Sequence, residues 1–134
     1  MPEIKGSCRC GKVGYTSGAD PVFIGICHCK SCQKSTGSAF STVLAVPTAS
    51  LTVTGTTRRF DDVGDSGSAT HRDFCPECGS TITQSADVMA GMTMLAVGTL
   101  DDPGSVKPAM QIFCDSAMPW ATIGDLQGFP KMPG

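Results

Sequence analysis

The chain has 134 residues, with 16 glycines, 9 prolines, only eight aromatic residues (six Phe, one Tyr, one Trp) and a formal charge of -2. Such a composition predicts one domain over 1–127 with a thin core and no long helix, then a loose Pro/Gly-rich tail over 128–134. It has no basic tract to attract nucleic acid or an anionic membrane, and Met1-Pro2-Glu3-Ile4-Lys5 lacks the charged and apolar regions of a secretory leader, so a cytoplasmic location with reduced thiols is expected.

In chain order, Lys12–Thr16 alternates as a short strand does, and Val22–Cys27 is an apolar run ending on a cysteine. Around Ser31–Thr36 lies the single helical candidate, closed by Gly37. Ala39–Val46 reads as a strand stopped by Pro47, and Leu51–Thr54 alternates before Gly55. Asp61–Ser68 has turn composition and is expected as a mobile loop. Thr70–Phe74, Ser80–Gln84, Met92–Val97 and Met110–Phe113 complete the predicted strands, with a turn at Asp101-Asp102-Pro103-Gly104. No apolar stretch is long enough to span a bilayer.

Seven of the eight cysteines fall into three tight motifs: Cys8-Arg9-Cys10, Cys27-His28-Cys29-Lys30-Ser31-Cys32 and Cys75-Pro76-Glu77-Cys78. In a reducing compartment such spacings favour metal over disulfides. A closed structural zinc takes four ligands, whereas a catalytic zinc keeps three and leaves one position open. Seven thiols divide most simply into four and three.

On an extended strand, residues i and i+2 face the same side, so Cys27 and Cys29 can converge on one ion, with Cys32 joining from the next turn. Three ligands from so short a segment leave one side of a metal uncovered. Cys75-Pro76-Glu77-Cys78-Gly79 resembles a zinc knuckle, where glycine permits a positive φ. Cys8 and Cys10 are the pair left to complete it. The predicted structural zinc site is therefore Cys8, Cys10, Cys75 and Cys78, and the predicted catalytic zinc site Cys27, Cys29 and Cys32. Spacing alone leaves open a pairing of Cys27 and Cys29 with Cys75 and Cys78, or one structural zinc with several free thiols. Three thiolates would make the second zinc a weak Lewis acid with a preference for sulfur, suited to activating a thiol rather than to hydrolysis.

Cys27-His28-Cys29-Lys30-Ser31-Cys32-Gln33-Lys34-Ser35-Thr36-Gly37-Ser38-Ala39-Phe40 resembles the central motif of the glutathione-dependent formaldehyde-activating enzyme family, which includes a centromere protein V branch. Gly6–Val13, Phe74–Ser80, Gly98–Pro103 and Trp120 resemble its other signatures, in the same order. The resemblance implies an all-β fold of small antiparallel sheets around a structural zinc, with at most short helical turns. It implies two zinc ions per chain on the thiols just partitioned. The implied activity is carbon–sulfur lyase chemistry, forming or cleaving a thiol–aldehyde adduct, nominally S-hydroxymethylglutathione from glutathione and formaldehyde. Many relatives carry His-Ile where this chain has Gln111-Ile112, so imidazole chemistry is not expected there.

His28 is expected to face away from its flanking thiols, at the surface or behind the ligands. His71 reads as a plain surface histidine, Cys114 as an inert thiol, and Trp120 as cover or pocket wall. Lys30, Lys34, Arg58, Arg59 and Arg72 are surface cations that could meet glutathione carboxylates. A non-catalytic zinc-binding interaction module is the main alternative function. A thioredoxin-like redox role lacks its βαβ context.

Overall fold

The computed structural model describes residues 3–65, 67–121 and 123–133. Eleven short strands form two sheets, with one helix, α1 (Lys30–Thr36). The smaller sheet is antiparallel, in the order β1 (Ile4–Ser7), β2 (Gly14–Ser17), β5 (Leu51–Thr54). The larger has eight strands. From one edge these are β11 (Gln127–Gly128), β10 (Met110–Ile112), β3 (Phe23–Cys27), β4 (Ser41–Pro47), β9 (Met92–Ala96), β8 (Thr81–Ala86), β7 (Ala69–Phe74) and β6 (Arg58–Val63). The all-β class holds. The larger sheet is antiparallel from β3 to β6, but β10 runs parallel to both β3 and β11.

β4 explains the centre of this sheet. Val43, Leu44, Ala45 and Val46 are all buried. A strand covered on both faces reads as a continuous apolar run rather than an alternating one. Leu44 and Val46 join Ile82 and Leu95 from the large sheet, and Ile4 and Tyr15 from the small one, in the main core. Cys8 and Cys75 belong to that same cluster, whereas Cys10 and Cys78 are exposed, so one cysteine group is anchored in the core through two of its members. Tyr15 ties the sheets by a 2.7 Å hydroxyl contact with Thr99 Oγ1. The close approach needs Gly6: a Cβ there would collide with the Tyr15 hydroxyl and the Thr99 carbonyl.

β6 begins before the expected loop and takes in Asp61–Val63. Its charged composition is that of an exposed edge strand, where charges discourage pairing with other chains. The turn beyond it closes by Gly64 N–H donating to Ser68 O (2.9 Å). Arg59 makes a two-point contact with Asp73 (2.8 and 3.1 Å), and Arg72 stacks over Phe60. β1 escapes the sequence reading because Ile4–Ser7 offers only one large apolar residue. Residues 128–131, composed like a loose tail, are laid against β10: Phe129 N–H donates to Gln111 O (3.0 Å), and Phe113 N–H to Lys131 O (3.1 Å). No helix among the described residues is long and apolar enough to cross a membrane.

His71 is more than a plain surface residue. Its Nδ1 lies 2.7 Å from Asp61 Oδ1 and its Nε2 2.9 Å from Asp87 Oδ1, so it clasps β6 to the short turn at Asp87–Met89. Both ring nitrogens can donate only in the imidazolium, and these two hydrogen bonds, Asp61 first, raise its pKa. Stability from a raised folded-state pKa is fully present below the unfolded value and lost as pH rises through the folded one. His71→Gln is therefore expected to lower the melting temperature more at pH 6 than at pH 9. Thermal melts of both proteins across that range check this; a difference that stays constant or widens with pH contradicts it.

Candidate functional site

Cys8 and Cys10 occupy the turn after β1, and Cys75 and Cys78 the turn after β7. The first turn folds by Cys8 N–H donating to Val13 O (2.9 Å), the second by Gly79 N–H donating to Cys75 O (2.8 Å). These turns bring all four sulfurs within 4.8 Å of one another. Cys8 and Cys10 sulfurs are 3.6 Å apart, and Cys10 and Cys75 sulfurs 3.7 Å. A tetrahedral zinc with its usual zinc–sulfur bonds spans sulfur–sulfur edges of about 3.8 Å. Val13 N–H donates to Cys8 Sγ (3.3 Å), the type of bond that supports a thiolate. Ser80 accepts from Arg9 N–H (3.1 Å) and stands 3.3 Å from Cys78 Sγ, where its hydroxyl is the first cause of a Cys78 pKa lowered to about 5. Donor type, number and spacing fit a closed zinc site.

The second group is assembled around α1. Cys27 ends β3, Cys29 is the N-cap of the helix, and Cys32 lies in its first turn. Cys29 Sγ accepts the Cys32 N–H (3.3 Å), the role a serine or aspartate oxygen often plays. Gly37, left-handed at φ 64°, closes the helix by donating to Gln33 O. Gln33 is buried and fixes the helix: its amide donates to His28 O (2.8 Å) and Ser116 O (2.9 Å). The three sulfurs lie within 4.8 Å of one another with no histidine nitrogen or carboxylate oxygen among them. No described cysteine is in a disulfide.

These three thiols cannot all ionise unaided. Hydrogen bonds from Cys27, then Cys32, hold Cys29 down to about 3. The same contacts, that with Cys29 first, push Cys27 far up. A Cys27 hydrogen bond favours the Cys32 thiolate, but the contact with Cys29 and burial outweigh it, and Cys32 rises to about 11. One negative charge shared among three close sulfurs is the pattern a dication would relieve, and a coordinating thiol is deprotonated by its metal. The set fits a three-thiolate ion.

Cys27, Cys29 and Cys32 line a cavity of about 220 Å3, and none of Cys8, Cys10, Cys75 and Cys78 does. Ser41, buried at the start of β4, also lines it; its hydroxyl favours the Cys32 thiolate and has no other hydrogen-bond partner. Phe113 is the one described non-glycine residue at positive φ (55°). It packs with Cys27 and Cys29 in a small cluster separate from the main core, and such strained backbone often marks functional sites. Sequence reasoning missed Ser41, Gln33 and Phe113, because their roles come from sheet register and loop closure.

The other candidates fall away from the cavity. His28 is fully buried rather than at the surface. Gln111 directs its amide N–H groups to Ile123 O and Leu126 O, so its Oε1 accepts from His28 Nε2 at 2.9 Å. His28 Nδ1 is buried without a hydrogen-bond partner. Trp120 is 75% exposed and does not line the cavity, nor does any of Lys30, Lys34, Arg58, Arg59 and Arg72, although Arg72 and His71 line a smaller adjoining cavity that shares Cys32 with it. Cys114 joins neither thiol group and contacts Gln111 O instead.

Residues 3–116 match the family described as "Glutathione-dependent formaldehyde-activating enzyme". Two curated fungal relatives are each called "Putative glutathione-dependent formaldehyde-activating enzyme". The Talaromyces marneffei protein is 35% identical over 81 residues, covering 59% of this chain and 43% of the relative. The Phaeosphaeria nodorum protein is 29% identical over 126 residues, covering 92% of this chain and 62% of the relative. The chain thus spans about half the length of these relatives. A crystal structure of a Rhodobacter sphaeroides protein shares the fold, with a TM-score of 0.61 at 16% identity, covering 93% of this chain and 99% of that one.

Proposed function

The chain belongs to the glutathione-dependent formaldehyde-activating enzyme family, and from that premise we propose that it is a zinc-dependent carbon–sulfur lyase that joins a small thiol to an aldehyde, or cleaves their adduct. The observation that carries this reading is the unequal placement of two thiol groups: a set of four anchored in the core through Cys8 and Cys75 with Cys10 and Cys78 at the surface, and a set of three facing a cavity. In this reading residues 1–127 are one catalytic domain. Cys8, Cys10, Cys75 and Cys78 hold a structural zinc, and Cys27, Cys29 and Cys32 hold the catalytic one. A zinc ion held by Cys27, Cys29 and Cys32 would supply a soft Lewis acid with a preference for a thiolate ligand.

The remaining work falls to the chain. The cavity walls hold thiol and aldehyde together, replacing a bimolecular encounter by an oriented one. Ser41 lines that space beside Cys32, and its hydroxyl has no other hydrogen-bond partner. It is positioned to donate to the aldehyde oxygen as negative charge develops there. The sulfur–carbon bond forms as the carbonyl π bond opens, and the thiol's proton ends on oxygen. Cleavage runs the same path backwards, with no net oxidation or reduction.

The test is turnover by zinc-loaded protein, followed as formation and cleavage of hydroxymethyl thioethers from formaldehyde and a panel of thiols. Ser41→Ala is expected to lose about tenfold in kcat/KM while keeping its metal content and melting temperature, the scale of one hydrogen bond to a charged group. No rate above the uncatalysed one across the panel would end the lyase reading; wild-type kinetics in Ser41→Ala would remove the serine from it.

A further inference from the structure

Resting on that catalytic reading, we propose that the thiol this site takes is a small apolar one, alkyl or aryl, rather than glutathione or another charged peptide thiol. Beside the three sulfurs, the cavity wall is built from Met89, Met94, Met110 and Met132, four of the chain's seven methionines, together with Phe23 and Val43. They come from β9, β10, β3, β4, the Asp87–Met89 turn and the C-terminal segment. Thioether side chains are flexible and polarisable, and they mould to irregular apolar groups.

No lysine, arginine or histidine lines the cavity, and its one charged wall residue is Asp65. Glutathione carries two carboxylates at neutral pH. An ionised carboxylate placed in apolar surroundings needs a paired cation, and here it would meet an acidic side chain. Arg59 is paired with Asp73, and Arg72 lies over Phe60 in a smaller adjoining cavity of about 50 Å3 rather than in this wall. The volume suits a modest substituent. A dry apolar cavity of about 150 Å3 holds a benzene ring, so about 220 Å3 takes one ring or a short alkyl chain with the aldehyde beside it.

The deciding experiment uses zinc-loaded protein with formaldehyde and ethanethiol, propanethiol, butanethiol, phenylmethanethiol or glutathione. Turnover and calorimetric binding are both measured. Each added methylene is expected to tighten binding roughly fourfold until the space is filled. Butanethiol should exceed glutathione by at least about tenfold in kcat/KM. Met89→Arg, on a half-exposed turn at the cavity, brings a cation to the wall and is expected to narrow or invert that preference. The chain-length series decides the matter even if this variant folds poorly. Turnover with glutathione equal to or better than with butanethiol, and no chain-length trend, would overturn the apolar assignment and leave the lyase reading standing. Graded binding of the alkyl thiols with no turnover of any thiol would instead sink the lyase reading and retain the apolar site. Neither binding nor turnover would overturn both.

Discussion

Cys75→Ser is expected to leave the chain largely unfolded and short of one zinc ion. Cys75 is fully buried in the main core, beside Leu44, Ile82 and Leu95. Serine there replaces a thiolate by a hydroxyl that remains neutral, and it removes one of four ligands. A structural zinc contributes roughly 10–16 kcal/mol of apparent binding free energy in small domains. Whole domains are stable by only about 5–15 kcal/mol, and this chain's thin core leaves little to compensate. Circular dichroism with elemental analysis checks the result, and Cys114→Ser is the control. Cys114 stands outside both sulfur groups, so that variant should retain the fold and both metals. A Cys75→Ser protein with native melting and full zinc would remove the structural role.

Cys29→Ser should behave in the opposite way: folded, one zinc lighter and catalytically silent. Its surroundings are the small cluster of Cys27, Cys29 and Phe113, apart from the main core. Serine is also among the best N-cap residues, so α1 keeps its first-turn acceptor. The loss falls instead on metal activation, worth several kcal/mol, which corresponds to a fall in kcat/KM on the order of a thousandfold. Melting within a few degrees of wild type, one zinc per chain and that kinetic loss are the expected triple. Unfolding as complete as that of Cys75→Ser would mean that the three thiols serve structure, favouring an interaction module over an enzyme.

Much of the partition was readable in the residues. Spacing of two or three positions shows which sulfurs within one motif can meet, because a turn or a strand sets that distance locally, but it left open which pair joins Cys75 and Cys78. Gly37 likewise announced the end of α1, since the left-handed cap there is a local property. The cavity was not readable. Ser41 faces the thiols only because Cys27 and Ser41 are register partners across β3 and β4. The methionines converge from segments separated by many tens of residues. Gln111 was noticed as a departure from the family pattern, yet its job depends on carbonyls at Ile123 and Leu126, which no local pattern discloses. His28, in the link between β3 and α1, was assigned to the side away from the thiols but not to its depth. Alternation gives a direction, and only the Phe40 ring and the Gln111 amide reveal what lies that way.

Met132 and Pro133 contribute to the chamber beside the thiols, held there by the segment that runs along β10. An affinity handle grafted directly after residue 133, or trimming a few residues to help crystals grow, would therefore remodel the wall of that cavity. Material prepared that way could report altered substrate choice as though it were native. A removable handle at the opposite terminus avoids that artefact.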